Sequence, residues 1–218
     1  EDAYRDYLSL NYKRSLWAED YAKESVTEKQ IKEYYENEYV GDMEVSHILI
    51  TIDANNKSSE DEKKEAEEKA LNTAKEVIAA LDKGEKFEDL AKKYSKDEDT
   101  SKKGGSLGKI NVGDYTSEVV NAAKELKVGT YTTTPVKSSY GYHIVYLKSQ
   151  DKKPELNDDV TNKIKTIVGN EIAQESNFYV KALKALREKN EMKFKDTTLE
   201  KEFNKLVTQY ENQQQSSN

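Results

Sequence analysis

One segment, residues 43–51, must be buried in whatever fold this chain adopts. In an extended strand, alternate side chains point to the same face. The two faces of this segment are formed by Val45, His47 and Leu49 and by Ser46, Ile48 and Ile50. Because both faces carry apolar groups, we predict a central strand of a sheet that is covered on both sides.

The region after this strand alternates between helical and extended patterns. Helices are indicated after a capping box at 59–62, at 87–94 and after Ser117, and short strands at 107–111, 131–136 and 142–147. The order β-α-α-β-α-β-β is typical of an α+β fold with a small mixed or antiparallel sheet. Pro135 has no N–H to donate, so the strand at 131–136 should lie at an edge or end there.

Both ends of the chain are helical in pattern. We therefore divide the sequence into a helical segment at 1–41, a central α+β domain at 42–149, a second helical segment at 150–212 and a low-complexity, disordered tail at 213–218. Each helical segment has an apolar stripe that needs a partner. We predict that the two segments pack together as one helical domain.

The first helix, predicted at 3–24, carries apolar side chains in two runs. Near the 3.6-residue period these are Tyr4, Leu8, Tyr12 and Leu16 and, separately, Tyr7, Trp17 and Tyr21. A second helix begins after it, where Thr27 and Gln30 fit a capping box.

Composition narrows the classes of function. Hydrophobic and charged residues each make up 35% of the chain, so we expect one compact domain and long, charged helices with narrow apolar stripes. The net charge is −7, from 35 basic and 42 acidic residues, and the interspersed signs leave no basic field for nucleic acid. Because the chain has no cysteine and only two histidines, we predict no disulfide, no metal site and no cofactor.

The chain also lacks an apolar run of the ~20 residues that span a bilayer. It begins with Glu1 rather than Met, so we expect a trimmed or processed protein. A signal peptide or lipid anchor would then lie upstream of Glu1.

The two histidines are the first candidates for chemistry. His47 and His143 both lie on predicted strands among apolar neighbours, which is the usual setting of a structural, hydrogen-bonded core histidine. They stand on the first and last strands of one small domain, so they can meet in the folded sheet. Asp97, in a polar loop, has the ordinary interpretation of a turn residue or solvated charge.

Other catalytic patterns find little support. The glycine-rich segment at 104–108 lacks the spacing of a phosphate-binding loop, and we predict a tight bend that enters a strand. The sequence contains no G-x-S-x-G and no H-E-x-x-H, which argues against a hydrolase or a metalloprotease. The residues alone indicate an α+β domain with two strand histidines.

Taken in order, several short segments of the central region resemble the parvulin family of peptidyl-prolyl isomerases. The matching segments are 45–50, 94–97, 104–108, 127–129, 135–136 and 140–145. The resemblance covers 42–149, and it implies a parvulin-like fold. The flanking helices resemble those of PrsA-type foldases, which are extracytoplasmic lipoproteins, and more distantly those of the chaperone SurA.

The resemblance implies roles for eight residues. They are catalytic roles for His47, Asp97, His143 and Tyr140 and substrate-binding roles for Leu49, Leu107, Tyr115 and Val119. The histidines match the paired core histidines beneath the site, and Asp97 matches a position that is Cys or Asp in the family. Leu107 matches a residue that lines the proline pocket.

Three positions depart from the common family pattern. Tyr140 stands where a small polar residue is usual, Tyr115 where a Met is common and Val119 where a Phe is common. These departures predict an atypical pocket, with weak activity or a changed sequence preference. The loop at 53–57 lacks the basic cluster of phosphate-directed relatives, so specificity for phosphorylated Ser/Thr-Pro is not expected.

The implied function is cis/trans isomerisation of X-Pro bonds in unfolded or newly translocated polypeptides. The expected location is outside the cytoplasm, on the outer face of the membrane of a Gram-positive bacterium. The membrane would be reached only through an upstream lipid anchor, and the protein could act as a homodimer. The alternatives are a holdase-type chaperone with a weak or inactive parvulin domain, and a purely structural scaffold.

Overall fold

The structure is a computed structural model, and it describes residues 2–55, 58–175 and 178–215. Its elements in chain order are α1 (Asp2–Ser25), α2 (Glu28–Asn37), β1 (Met43–Ile50), α3 (Glu60–Asp82), α4 (Phe87–Tyr94), α5 (Glu98–Ser101), β2 (Ser106–Ile110), α6 (Ser117–Glu125), β3 (Thr130–Tyr131), β4 (Val136–Ser138), β5 (Gly141–Gln150), α7 (Asp158–Ala173), α8 (Phe178–Lys189) and α9 (Thr197–Gln215). The predicted α+β class, with helices on both flanks of a small sheet, is confirmed.

The chain forms two compact units. One is Tyr39–Glu155, and the other combines Glu1–Glu38 with Leu156–Asn218. The predicted tail at 213–218 begins within α9, which continues to Gln215, and residues 216–218 lie outside the described part of the chain. Among the described residues, we find no helix with the length and apolar character required to cross a membrane.

The sheet of the first unit is antiparallel, with the strand order β2-β1-β5-β3. Strand β4 pairs with the beginning of β5, and β3 pairs with a later part of the same strand. Strand β1 lies between β2 and β5, which confirms the prediction of a central strand. The register of β1 and β5 sets Leu49 opposite His143 and His47 opposite Val145. Both histidines therefore lie on the same face of the sheet.

Apolar side chains cover both faces of this sheet. One face, with Ile48 and Ile144, packs on α3 and α4 through residues such as Leu90. The other face, with Val45 and Val145, packs on α6. Burying one such side chain contributes about 1.5–3 kcal/mol, so the two clusters fix the sheet between its helices.

The prediction of a single strand at 131–136 is wrong, because this segment forms two shorter strands. Strand β3 ends at Tyr131, and β4 begins at Val136. Pro135 lies between them, where its missing N–H interrupts no ladder. The strand end expected at this proline is observed.

Both predicted capping boxes are confirmed. The Thr27 hydroxyl accepts from the backbone N–H of Gln30, and the Gln30 side chain accepts from the backbone N–H of Thr27. Ser59 and Glu62 make the same reciprocal pair at the start of α3. Each box satisfies two N–H groups that the first turn of a helix leaves without partners.

In the helical unit, the predicted packing of the two flanks on each other is observed. The second half of α1 contributes Ala18 and Ala22, which pack against Phe178 and Ala182 of α8 in one buried cluster. Small side chains on α1 allow this close approach between helices. Helix α1 also contacts α7.

Candidate active site

The centre of the candidate site is a pair of buried histidines. His47 on β1 and His143 on β5 are almost completely inaccessible to solvent. Their Nδ1 atoms are 3.1 Å apart, and their rings stack with an interplanar angle of 20°. The prediction that the two histidines meet in the sheet is confirmed.

Asp97 joins this pair from the loop that follows α4. Its Oδ2 lies 2.7 Å from Nε2 of His47, and it also accepts from the hydroxyl of Thr100 at 2.6 Å. Its other oxygen accepts from the backbone N–H of Asp99, which makes Asp97 the N-cap of α5. The interpretation of Asp97 as a turn residue is therefore correct but incomplete.

Hydrogen bonds to β1 hold the Asp97 loop in place. The N–H of Leu49 donates to the hydroxyl of Ser95 at 3.1 Å, and the N–H of Lys96 donates to the carbonyl of Leu49 at 2.8 Å. The anchor is therefore two residues beyond His47 on the same strand. A side chain at position 97 is thereby placed next to the His47 ring.

The segment at 104–108 approaches β1 from another direction. The N–H of His47 donates to the carbonyl of Gly105 at 2.8 Å. Gly105 has a φ of +79°, and a Cβ at this position would lie 2.2 Å from the carbonyl oxygen of His47. Only glycine allows this approach, so the predicted tight bend before β2 also fixes the backbone at His47.

Ser138 completes the polar chain at its other end. Its hydroxyl lies 2.7 Å from Nε2 of His143 and accepts from the backbone N–H of Tyr140 at 3.1 Å. The sequence interpretation missed both Ser138 and Thr100. The need of a buried histidine for a partner at each nitrogen was a signal that could have led to Ser138, which lies just across the turn from His143.

One assignment of protons satisfies the whole chain. An ionised Asp97 can only accept, so Nε2 of His47 carries a proton and, in the neutral ring, its Nδ1 does not. His143 must then donate from Nδ1, which leaves its Nε2 to accept from the hydroxyl of Ser138. All donors point in one direction, from the backbone N–H of Tyr140 to the carboxylate of Asp97.

The electrostatics of the site agree with this assignment. Burial lowers the pKa of His47, and the hydrogen bond and charge of Asp97 only partly oppose it. Burial and the neighbouring His47 lower the pKa of His143 to about 4. Burial alone would raise the pKa of Asp97, but hydrogen bonds from Thr100 and His47 outweigh it, and the pKa lies below its ordinary value. Both imidazoles are neutral and Asp97 is charged at neutral pH.

Tyr115 borders the histidines on the α6 side of the sheet. Its hydroxyl lies 3.4 Å from Nε2 of His47, and the two rings meet edge to face at 5.4 Å. Burial and the charge of Asp97 raise the pKa of this hydroxyl, so it stays protonated. Leu107 is half-buried on the same cluster of side chains, and Leu49 shares the face of His47.

Two predicted site residues lie apart from this arrangement. Val119 is fully buried in the cluster between α6 and the sheet, so it presents no surface to a ligand in this conformation. Tyr140 is 62% exposed, and its backbone N–H joins the chain of hydrogen bonds by donating to the hydroxyl of Ser138. The assigned roles of these two side chains stay predictions.

The site combines a partly exposed carboxylate, neutral imidazoles and a tyrosine hydroxyl beside apolar side chains. The Asp97 side chain is 18% exposed, so its carboxylate stays partly hydrated and can still act electrostatically on a bound group. In the part of the chain that the structure describes, no group of three or more His, Cys, Asp or Glu side chains could hold a metal ion. The arrangement suits a reaction that depends on binding and polarity and involves no covalent step.

Comparisons with known proteins agree with this description. Residues 47–149 match the family model described as the rotamase, PPIC-type PPIase domain. The chain is 39% identical over 168 residues to the foldase protein PrsA of Geobacillus kaustophilus, an alignment that covers 76% of this chain and 52% of that protein. The chain thus spans about half the length of the curated relatives it matches.

Solved structures show the same likeness. The peptidylprolyl isomerase PrsA of Bacillus anthracis is 34% identical, with a TM-score of 0.54, over 82% of this chain and 71% of that one. The foldase protein PrsA of Streptococcus pneumoniae is 25% identical, with a TM-score of 0.64, over 90% of this chain and 65% of that one.

Proposed function

Since the chain belongs to the family of PrsA foldases and carries a PPIC-type parvulin domain at residues 47–149, we propose that it catalyses cis/trans isomerisation of X-Pro bonds in unfolded or newly translocated polypeptides. The observation that carries this proposal is the continuous chain of hydrogen bonds through His143, His47 and Asp97. Tyr115 borders these hydrogen-bonded residues. Tyr115 and Leu107 are half-buried on one apolar cluster, and both side chains can contact a proline ring.

The reaction has a barrier of about 18–20 kcal/mol because the twisted amide loses its resonance. No covalent bond has to be made or broken. A site lowers the barrier if it binds the twisted amide more tightly than either planar form. Apolar walls favour the twisted state, since its carbonyl carries less negative charge than that of a planar amide.

We assign different tasks to the polar residues. The carboxylate of Asp97 shapes the electric field at the substrate carbonyl. His47 and His143 hold the floor of the site in a single arrangement and contribute no charge. We assign no nucleophilic role to either histidine, because both are buried and all four ring nitrogens have hydrogen-bond partners.

A peptide isomerisation assay tests the proposal with matched variants of one loop. Asp97→Ala removes the carboxylate beside His47, whereas Asp99→Ala removes an exposed one that contributes only its backbone N–H to this network. We expect kcat/KM to fall about tenfold or more for Asp97→Ala and to change less than about twofold for Asp99→Ala. Equal activity of the wild type, Asp97→Ala and His47→Ala would overturn the site assignment.

We also propose that the protein acts outside the cytoplasm, attached by a lipid to the outer face of the membrane of a Gram-positive bacterium. Membership of the foldase family supports this location, as does a substrate class of newly translocated chains. Cell fractionation combined with mass spectrometry of the mature N-terminus tests it. Recovery of the protein from the cytosol without a lipid would refute the location.

A further inference from the structure

The hydrogen bond between Ser138 and His143 depends on a strand of only three residues. Ser138 is the last residue of β4, and its hydroxyl lies 2.7 Å from Nε2 of His143 on β5. The two strands form a short antiparallel hairpin in which Lys137 stands opposite Tyr142. A two-stranded hairpin is marginally stable by itself. The position of the Ser138 hydroxyl therefore depends on what else holds β4 in place.

Glu67, on α3, bonds to both strands of this hairpin at one register position. Its Oε1 accepts from the ammonium group of Lys137 and from the hydroxyl of Tyr142, the latter at 3.1 Å. Since Lys137 and Tyr142 stand opposite each other, one carboxylate oxygen ties β4 and β5 together and to the helix. These two hydrogen bonds lower the pKa of Glu67, so its carboxylate is charged at neutral pH.

This contact lies on the face of the sheet opposite the histidines. Side chains alternate between the two faces along each strand, so Lys137 and Tyr142 face α3, whereas Ser138 and His143 face the other way. Tyr142 is buried in the cluster beneath α3, which gives its hydroxyl a fixed place. Helix α6 contacts β4 as well. Because Lys137 directly precedes Ser138, a shift of Lys137 also moves the hydroxyl that bonds to His143.

We propose that Glu67 is a positioning residue for the isomerase site, and that it acts by fixing β4 on β5 with the Ser138 hydroxyl at Nε2 of His143. This role presupposes the proposed isomerase activity. The side chains of Glu67 and Lys137 are 40% and 57% exposed, so their attraction adds little to stability. The effect is on geometry, because one acceptor holds donors from two strands.

The other end of α3 provides a matched control. Oδ1 of Asp82 accepts from the hydroxyl of Tyr131 at 2.8 Å, so it too is a carboxylate of α3 that bonds to a tyrosine of the sheet. Tyr131 lies on β3, which pairs with β5 around Tyr146, beyond His143 along the strand. Asp82→Ala therefore removes a comparable contact and leaves the β4–β5 hairpin intact.

Steady-state isomerisation of a proline peptide by the full chain tests the proposal. Glu67→Ala should lower kcat about two- to fivefold with KM nearly unchanged, because the side chains that contact the proline ring belong to other elements. Glu67→Gln keeps an oxygen that accepts from Lys137 and Tyr142, and it should restore most of the loss. Asp82→Ala should change kcat less than about twofold. Equal losses of kcat in Glu67→Ala and Asp82→Ala would overturn the proposal.

A double variant tests whether Glu67 acts through Ser138. Once Ser138→Ala has removed the hydroxyl, Glu67 has nothing left to position. The variant with both Glu67→Ala and Ser138→Ala should then have about the same kcat as Ser138→Ala alone. Losses that multiply would show that Glu67 affects the site by another route, and they would contradict the proposal.

Nitrogen-15 NMR of the histidine rings gives a measurement that does not need activity. The Nδ1 proton of His143 is buried between the two rings and should exchange slowly with water. Glu67→Ala should accelerate this exchange about threefold or more, whereas Asp82→Ala leaves it unaltered. Identical exchange in the wild type and Glu67→Ala would refute the positioning role. A wild type without isomerase activity would refute the proposed function, and the exchange rates would still decide whether Glu67 fixes the hydrogen bond.

Discussion

At the scale of single residues, the charge of Asp97 determines every proton position in the buried chain. His47 donates to it, His143 donates to His47, and Ser138 donates to His143. Each ring is fixed in one tautomer, because the next group in the chain can only accept a hydrogen bond from it. The site is therefore rigid in its hydrogen bonding as well as in its packing, which favours selective binding of one amide geometry.

Ser138 should act as a positioning residue although it lies outside the motifs that identify the family. Ser138→Ala leaves Nε2 of His143 buried without a donor, at a cost of about 1–3 kcal/mol in the free energy of unfolding. It also removes one of the two hydrogen bonds that hold the His143 ring in place. We expect kcat to fall about three- to tenfold in a peptide isomerisation assay. Ser138→Thr keeps a hydroxyl and should restore most of the activity, and a defect of equal size in both variants would contradict this role.

The lowered pKa of His143 predicts how stability depends on pH. The unfolded histidine has a pKa near 6.5 and the folded one about 4, so the unfolded state binds more protons between these values. Stability is therefore full above pH 6.5 and is lost as the pH falls through the folded pKa, by roughly 3 kcal/mol in total. His47 acts in the same direction.

Urea unfolding at a series of pH values between 4 and 7 measures this effect. The free energy of unfolding of the wild type should decrease steadily as the pH falls from 7 to 4. A His143→Gln variant is expected to be less stable at pH 7 but to show a flatter pH profile. An unchanged pH profile in this variant would assign the loss of stability to other groups.

At the scale of elements, the bend at 104–108 holds the segment of β1 that carries His47. Gly105 and Gly108 both have a positive φ, +79° and +74°, but only Gly105 is crowded by β1. Gly105→Ala should therefore destabilise the protein by about 3 kcal/mol or more and displace His47, with loss of activity. Gly108→Ala, where a Cβ meets open space, should cost about 1–2 kcal/mol and leave the activity intact.

Denaturant unfolding and the isomerisation assay together distinguish these two glycine variants. Equal losses of stability would show that the positive φ, and not the close approach to the carbonyl of His47, determines the cost at both positions. Normal activity in a folded Gly105→Ala protein would show that the backbone contact does not position His47.

The elements show what the sequence could and could not reveal. The central strand follows from apolar groups on both of its faces, and the helix starts at Thr27 and Ser59 follow from local capping chemistry. The single strand predicted at 131–136 is two strands in the structure, with Pro135 between them. Each is defined by tertiary pairing with β5, which no local pattern specifies.

The candidate site shows the same limit. Resemblance to a family placed His47, His143 and Asp97, and the structure brings them together. Ser138 and Thr100 were not predicted, because a hydrogen-bond partner in a loop is determined by geometry and leaves no periodic signal. Val119 lies on α6 as expected, yet whether it faces a pocket or the core depends on how deeply that helix packs.

At the scale of the whole molecule, the unit at 39–155 contains all eight candidate site residues. The two apolar clusters on either side of the sheet are built from residues of this unit alone. The residues that bond to the histidine pair belong to it as well. The helical unit has a buried cluster of its own, formed by α1 and α8 with flanking aromatic and aliphatic side chains.

This independence predicts that an excised fragment of residues 39–155 folds and is active. It should unfold in one cooperative transition, because both clusters share the same central strands. Its kcat/KM on a short proline peptide should lie within about threefold of the value for the full chain, and Asp97→Ala should reduce it by the same factor in both. A fragment that folds but loses activity would place part of the site in the helical unit. Suppression of client aggregation separates catalysis from client binding. One outcome is that the full chain suppresses aggregation equally well with and without Asp97→Ala, while the active fragment does not suppress it. The helical unit would then bind clients without help from catalysis.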